Sequence, residues 1–268
     1  MVDASKRPVR VVQISDCHLF ASTEGKLLGL NTEFSLGKVL DRVRTEQQDI
    51  DVVLATGDLS QDGSLVAYRR FHGHINTLGA PNYWLQGNHD LTAPMVDALG
   101  GASHLSPCVI EQDKWRIIML NSAVEHQVPG DIQDDDLAFL NEQLSLSAGF
   151  HVMVCLHHHP VPMGCAWLDT QVVKNAASFW AILDRYTHVR AVVWGHVHQE
   201  SDSLRNGVRL FSVPSTCVQF KPKSEDFAID DVPPGYRWFD LHEDGRIDTA
   251  VSRVENVRFD VDFSVKGY

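Results

Sequence analysis

Short β-branched runs, each followed within a few residues by aspartate, asparagine or histidine, set the limits on how this 268-residue chain can fold. "VRVVQIS" leads into Asp16 and His18, "DVVLATG" into Asp58, and "NYWLQG" into Asn88 and His89. "HVMVCL" then leads into His157, and "RAVVWG" into His196 and His198. Glycines 57, 87 and 195 stand directly before three of these groups, where a missing Cβ permits tight turns and close backbone approach. In α/β folds the loops beyond the carboxyl ends of strands converge, and sites are built there.

The segments between these runs have helical spacing. Leu36, Val39, Leu40 and Val43 form one apolar stripe, and Leu65, Tyr68, Phe71, Ile75 and Leu78 a looser one. Phe179, Ile182, Leu183 and Tyr186 form another, and Asp134–Leu144 reads as a helix opened by three aspartates. After Val197 the pattern turns to antiparallel β. Asn206-Gly207 between apolar runs predicts a type I′ hairpin, and a second hairpin is expected to turn at Glu243–Gly245. No stretch has the composition of a domain linker, so residues 1–268 are expected to form a single domain of α/β class.

Composition narrows the function. Hydrophobic residues make up 44% and charged residues 22%, the balance of a soluble globular protein. No apolar run reaches bilayer length, and the N-terminal "MVDASKRPVRVV" lacks a continuous apolar core, so a cytoplasmic protein with no membrane partner is expected. The five cysteines contain no C-x-x-C pair, which suits a reducing compartment and excludes a thiolate zinc site of the usual spacing. A net charge of −12 repels phosphate backbones, so a nucleic-acid polymer is a poor partner. A small anionic substrate stays possible where bound cations concentrate positive charge.

Each Asp-x-His, Gly-Asp or His-x-His is common by chance, and a lone histidine is more often structural than a ligand. The same strand-then-ligand order repeated through the chain reverses that balance. Imidazole with carboxylate suits Fe, Mn, Zn or Co. Seven donors are too many for one tetrahedral ion and suit two divalent ions sharing a carboxylate. Such a pair, about 3.5–4 Å apart, stabilises the attacking and leaving oxygens of a phosphoryl displacement.

Asp16-x-His18, Gly57-Asp58, Gly87-Asn88-His89-Asp90, His157 and Gly195-His196-x-His198 together resemble the full motif set of the calcineurin-like metallophosphoesterases. "LHHHPVPMGCAWLD", "GHVHQE", "PSTCVQFKP" and "LLGLNT" further resemble the bacterial class III cyclic-AMP phosphodiesterases. The resemblance implies a four-layer αββα sandwich of two mixed β-sheets flanked by helices. It implies that Asp16, His18, Asp58 and His198 hold one metal ion, that Asp58 bridges, and that Asn88, His157 and His196 complete the second site. Iron or manganese is expected, with zinc or cobalt as alternatives. The implied reaction is hydrolysis of 3′,5′-cyclic AMP to 5′-AMP by in-line attack of a hydroxide held between the ions. The cyclic phosphate would meet His18, Asp58, Asn88, His89 and His198. His89 is expected to protonate the departing 3′-oxygen or to stabilise charge on the phosphorane-like transition state. A broader phosphodiesterase and a non-catalytic scaffold are the rival readings.

Several residues keep two readings. Asp90 either orients His89 by accepting its hydrogen bond or caps a helix over Leu91–Leu99. Trp167, Phe220 and the Pro214–Cys217 loop either line a base pocket or pack in the core, and packing is the better expectation for any one of them. Asn31 either offers a polar contact or starts the helix that follows. In the run His157–His159, His157 is the expected ligand, with a shift to His158 as the alternative. His159 is expected to support the site.

Overall fold

The computed structural model describes residues 7–267, so the N-terminal stretch considered above begins outside the described residues. Along the chain run β1 (Val9–Ile14), β2 (Lys26–Leu27), β3 (Leu30–Asn31), α1 (Thr32–Glu46), β4 (Val52–Thr56), α2 (Leu65–Asn76) and β5 (Asn82–Leu85). Then come α3 (Thr92–Leu99), β6 (Cys108–Gln112), β7 (Trp115–Met119), α4 (Asp134–Ser145), β8 (His151–Leu156), α5 (Ala166–Asp169) and α6 (Ala176–Leu183). The chain continues with β9 (Val189–Trp194), β10 (Ser201–Arg205), β11 (Val208–Ser212), β12 (Gln219–Phe220), β13 (Ile229–Asp230), β14 (Gly235–Leu241) and β15 (Ile247–Arg253).

A five-stranded sheet has the order β15-β14-β1-β4-β5, and a six-stranded sheet the order β10-β11-β9-β8-β7-β6. Both are mixed. β1, β4 and β5 are parallel, as are β7, β8, β9 and β11, and antiparallel strands complete the edges. Side chains alternate across each strand. Val9, Val11, Val52 and Leu54 from the first sheet therefore meet Met153, Cys155, Ala191 and Val193 from the second in one core. Phe211 and Phe239 cross in that core edge to face, with ring centroids 5.6 Å apart. Each buried ring contributes about 2 kcal/mol by area alone.

The opposite faces hold the helices. Val12, Ile14, Val53 and Ala55 pack under Leu36, Val39 and Leu40 of α1 and Tyr68 and Phe71 of α2. Val152, Val154, Val192 and Trp194 pack under Leu140 and Leu144 of α4 and Phe179 and Leu183 of α6. Helix, sheet, sheet and helix thus give the αββα sandwich. Asn31 resolves to the helix-start reading: its side chain accepts from the Phe34 amide at 2.7 Å as the cap of α1. Tyr186, placed above on the α6 stripe, falls beyond that helix's last turn. Among the described residues no helix is long and apolar enough to cross a membrane.

Candidate metal centre

The loops after β1, β4 and β5 come from one sheet and those after β8 and β9 from the other, so the site forms where the carboxyl edges of the two sheets meet. Backbone bonds lock these loops together. The Asp16 amide donates to the Gly57 carbonyl, and the His18 amide to the Asp58 carbonyl, both at 2.9 Å. Asp16 (φ 56°), His18 (φ 48°), Asp58 (φ 49°), His196 (φ 64°) and His198 (φ 48°) all lie in the left-handed region. That conformation costs a non-glycine residue about 1–3 kcal/mol and persists only where the surroundings impose it. A Cβ on Gly57 would run into the His157 ring, and one on Gly87 into the Asp58 carboxylate. The glycines let the loops close to contact distance.

Hydrogen bonds at the back of each ring decide what faces inward. His198 Nδ1 lies 2.8 Å from the Val218 carbonyl and His157 Nδ1 2.8 Å from the Thr56 carbonyl. A carbonyl only accepts, so both Nδ1 atoms donate, which turns Nε2 of each ring into the cluster and offers a lone pair there whenever the ring is neutral. His18 Nδ1 is held the same way by Gln61 Oε1 at 2.6 Å. His18 Nε2 and His198 Nε2 then face each other at 3.3 Å, and His198 Nε2 stands 3.4 Å from Asp16 Oδ1. Asp58 Oδ2 lies 3.8 Å from His18 Nε2 and 3.4 Å from His157 Nε2, which is itself 3.2 Å from Asn88 Oδ1. His196 Nε2 is buried with no hydrogen-bond partner among the described residues. Lone pairs converging on lone pairs and carboxylates are repulsive unless a cation stands between them. Ligands about 2.1 Å from one ion are themselves roughly 3–4 Å apart, the spacing found here.

The electrostatics agree. Burial disfavours the charged form of every group here. Even so, His157 and its neighbours hold Asp58 well below the usual carboxylate range, while Asp58 lifts His157 to about 9, so in the absence of an ion a proton on His157 supplies the positive charge that this contact needs. Burial lowers His18 to about 3, and His89 and His198 add to the effect against the pull of Asp58. His158 and His196 are lowered too, by burial first and then by neighbouring imidazoles.

The histidine run divides. Both ring nitrogens of His158 are occupied, Nδ1 by Ser122 Oγ and Nε2 by the Val128 carbonyl, each at 3.0 Å. Asp58 and Asn88 are met by His157, while His158 packs beside the His157 and His196 rings, at 4.8 and 4.6 Å between centroids. His159 is buried and lies nearly parallel to the His196 ring, at 5.7 Å and 17°.

Asp90 needs a correction. The cap residue of α3 is Leu91, and no side chain caps it. The Asp90 carboxylate accepts instead from the backbone amides of Leu59 (3.1 Å), Ser60 (3.1 Å) and Gly87 (2.9 Å) and from the Tyr68 hydroxyl (3.0 Å). It clamps the loop of Asp58 to the loop of Asn88 and His89. Asp90→Ala would strand these buried donors, each at about 1–3 kcal/mol. The expected result is a loss of at least about 3 kcal/mol in a denaturant titration; a loss under about 1 kcal/mol would contradict the clamp.

Phe220 and the Pro214–Cys217 loop resolve to packing. Phe220 is 2% exposed and stacks on His198 at 4.1 Å and 7°, and Trp167 meets its edge at 5.0 Å. The Ser215 hydroxyl donates to the Asp16 carbonyl at 2.7 Å. Gln61 and the carbonyls of Thr56 and Val218, none of them singled out from sequence, aim the imidazoles, and Ser215, named above only as part of its loop, holds the Asp16 backbone. A carbonyl leaves no mark in sequence. Gln61, three residues beyond Asp58 on the same loop, was the one with a readable signal.

Comparison with known proteins places this geometry. The family described as calcineurin-like phosphoesterase matches residues 9–200. A protein of Pseudomonas aeruginosa, 3′,5′-cyclic adenosine monophosphate phosphodiesterase CpdA, is 44% identical over 99% of this chain and 97% of its own length. The Escherichia coli protein of the same name is 41% identical over 99% and 97%. A dimetal phosphatase from Danio rerio superposes with a TM-score of 0.62 over 93% of this chain and all of its own, at 15% identity, a likeness of fold. The match thus runs from the first strand to just past the last of the converging loops, and the chain belongs to the calcineurin-like phosphoesterase family.

Proposed function

We propose that this chain hydrolyses 3′,5′-cyclic AMP to 5′-AMP with the help of two divalent metal ions, and so lowers an intracellular signal in the cytoplasm. Asp16, His18, Asp58 and His198 would hold one ion. Asp58, Asn88, His157 and His196 would hold the other. The observation that carries the reading is Asp58 Oδ2 facing His18 Nε2 and His157 Nε2 at once, the place of a shared carboxylate. The substrate follows from relatives 41–44% identical over nearly their full length and named for it. Imidazole, carboxylate and amide donors suit iron or manganese, and zinc or cobalt also fit. The whole chain is taken to act as one domain.

When bound, the ions neutralise the phosphoryl oxygens and acidify a water molecule. The chain does the rest. Two carboxylates leave a pair of divalent ions net positive, so a phosphodiester monoanion is drawn in despite the acidic exterior. His18, Asp58, Asn88, His89 and His198 surround the phosphate. His89 is half-buried at the rim, its ring edge-on to His18 at 5.0 Å and 76°. As the water oxygen bonds to phosphorus and the bond to the 3′-oxygen breaks, His89 gives its proton to that oxygen. Asp90 and Tyr68 hold the loop that places it.

The test is a substrate panel of cyclic AMP, cyclic GMP, a 2′,3′-cyclic nucleotide and bis-p-nitrophenyl phosphate. It is run after chelation and again after manganese or iron is restored. Activity should vanish with the metals, return with them and favour cyclic AMP. Equal rates across the panel would sink the substrate assignment, and full activity after complete chelation would sink the metals.

A further inference from the structure

One donor beside the first ion position is left unused by the proposed function. Cys217 is buried, and its Sγ lies with a ring nitrogen of His18 and one of His198 within 4.8 Å of one another. These are the imidazoles whose Nε2 atoms face each other at 3.3 Å. Ser215 Oγ is 2.7 Å from the Asp16 carbonyl, which only accepts, and 3.1 Å from Cys217 Sγ. A hydroxyl has one proton to give. With that proton on the carbonyl, the thiol donates its own to Ser215 Oγ, and the sulfur lone pairs remain available. Cys217, Val218 and Gln219 also form one wall of a cavity of about 780 Å³, which Val257, Phe259 and Phe263 close on another side.

We propose that Cys217, His18 and His198 form an alternative coordination mode at the first ion position, one that takes soft thiophilic ions such as Cd²⁺ or Zn²⁺ and is not used by Mn²⁺. On binding, the S–H bond breaks, its electron pair goes to the ion and the proton leaves to solvent. Soft thiolate donors select such ions, whereas oxygen and imidazole donors serve the harder ones, so one cluster sorts metals by which donors they recruit. The proposal uses the two-metal reading only for the position of the first ion.

The experiment titrates metal-stripped wild-type protein and Cys217→Ser with Cd²⁺, recording the sulfur-to-cadmium charge-transfer band in the ultraviolet. Mn²⁺ is titrated in parallel by electron paramagnetic resonance, and Cys108→Ser serves as the control for the more accessible thiol. Wild type and Cys108→Ser should show the band. Cys217→Ser should lose it and bind Cd²⁺ at least about tenfold more weakly, with Mn²⁺ affinity changed less than about twofold. Unchanged Mn²⁺ binding also certifies that the variant is folded. A band that survives Cys217→Ser, or Cd²⁺ and Mn²⁺ affinities that fall together, would overturn the proposal. If wild type takes up no Mn²⁺ yet shows a Cys217-dependent band, the two-metal function falls and the thiol site stands.

Discussion

Asp58→Asn is expected to empty both ion positions and to lower cyclic AMP hydrolysis by roughly 10³–10⁵-fold, the several kcal/mol of charge stabilisation that a bound metal supplies. The change is nearly isosteric, yet the structure makes it severe. Asp58 Oδ1 accepts from the His89 backbone amide at 2.9 Å. That donor fixes which way an asparagine would turn, with its carbonyl oxygen toward His89. The amide nitrogen then lands at the Oδ2 position, between His18 Nε2 and His157 Nε2. Two hydrogens point where an anion is required. Elemental analysis should find less than one ion per chain, with rates measured by release of 5′-AMP. Retention of two ions and a rate loss below tenfold would show that Asp58 does not bridge.

Much of the fold was legible because its signals are local. Asn206 and Gly207 take φ of 50° and 84°, the positive pair that a type I′ turn demands, and β10 and β11 pair on either side. The second hairpin, β14 and β15, was equally readable. Its destination was not. β14 adds to the first sheet against β1, with Val9 opposite Leu241, a pairing that only the shared inter-sheet core selects. Nor could the sequence divide the five strands that lead into the candidate ligands between two sheets, since each one reads as a buried run in either.

At the site, the ligand types and their order were readable, and the backbone they require was not. Histidine has little local reason to adopt positive φ, yet His18, His196 and His198 all do, held by bonds to residues far along the chain. The capping reading of Asp90 failed for the opposite reason. Its position before a helix gave a local capping signal, while its actual donors at Leu59 and Ser60 lie about thirty residues away. In the histidine run, the place of His157 directly after the strand was the readable signal for preferring it to His158. His158 stands beside His157 and His196, yet its bonds to Ser122 and Val128 occupy both of its ring nitrogens.

His89→Ala carries the sharpest test of mechanism. The backbone amide of this residue on Asp58 is kept by alanine, while the ring's edge contact with His18 is lost, so the ion positions are expected to survive and metal content is measured as the control. The side chain alone is removed. A general acid at a poor leaving group contributes about 10²–10⁴-fold, and kcat for cyclic AMP should fall by that factor with metal content unchanged. The 3′-oxygen of ribose leaves as a strong base and needs the proton, whereas p-nitrophenolate leaves without one. Bis-p-nitrophenyl phosphate should therefore lose less than about tenfold in the same variant. An equal loss on both substrates would make His89 a stabiliser of charge on the phosphoryl oxygens, since that charge develops whatever the leaving group. The ratio of the two losses, with ion content as the control, thus separates proton transfer from charge stabilisation at one side chain.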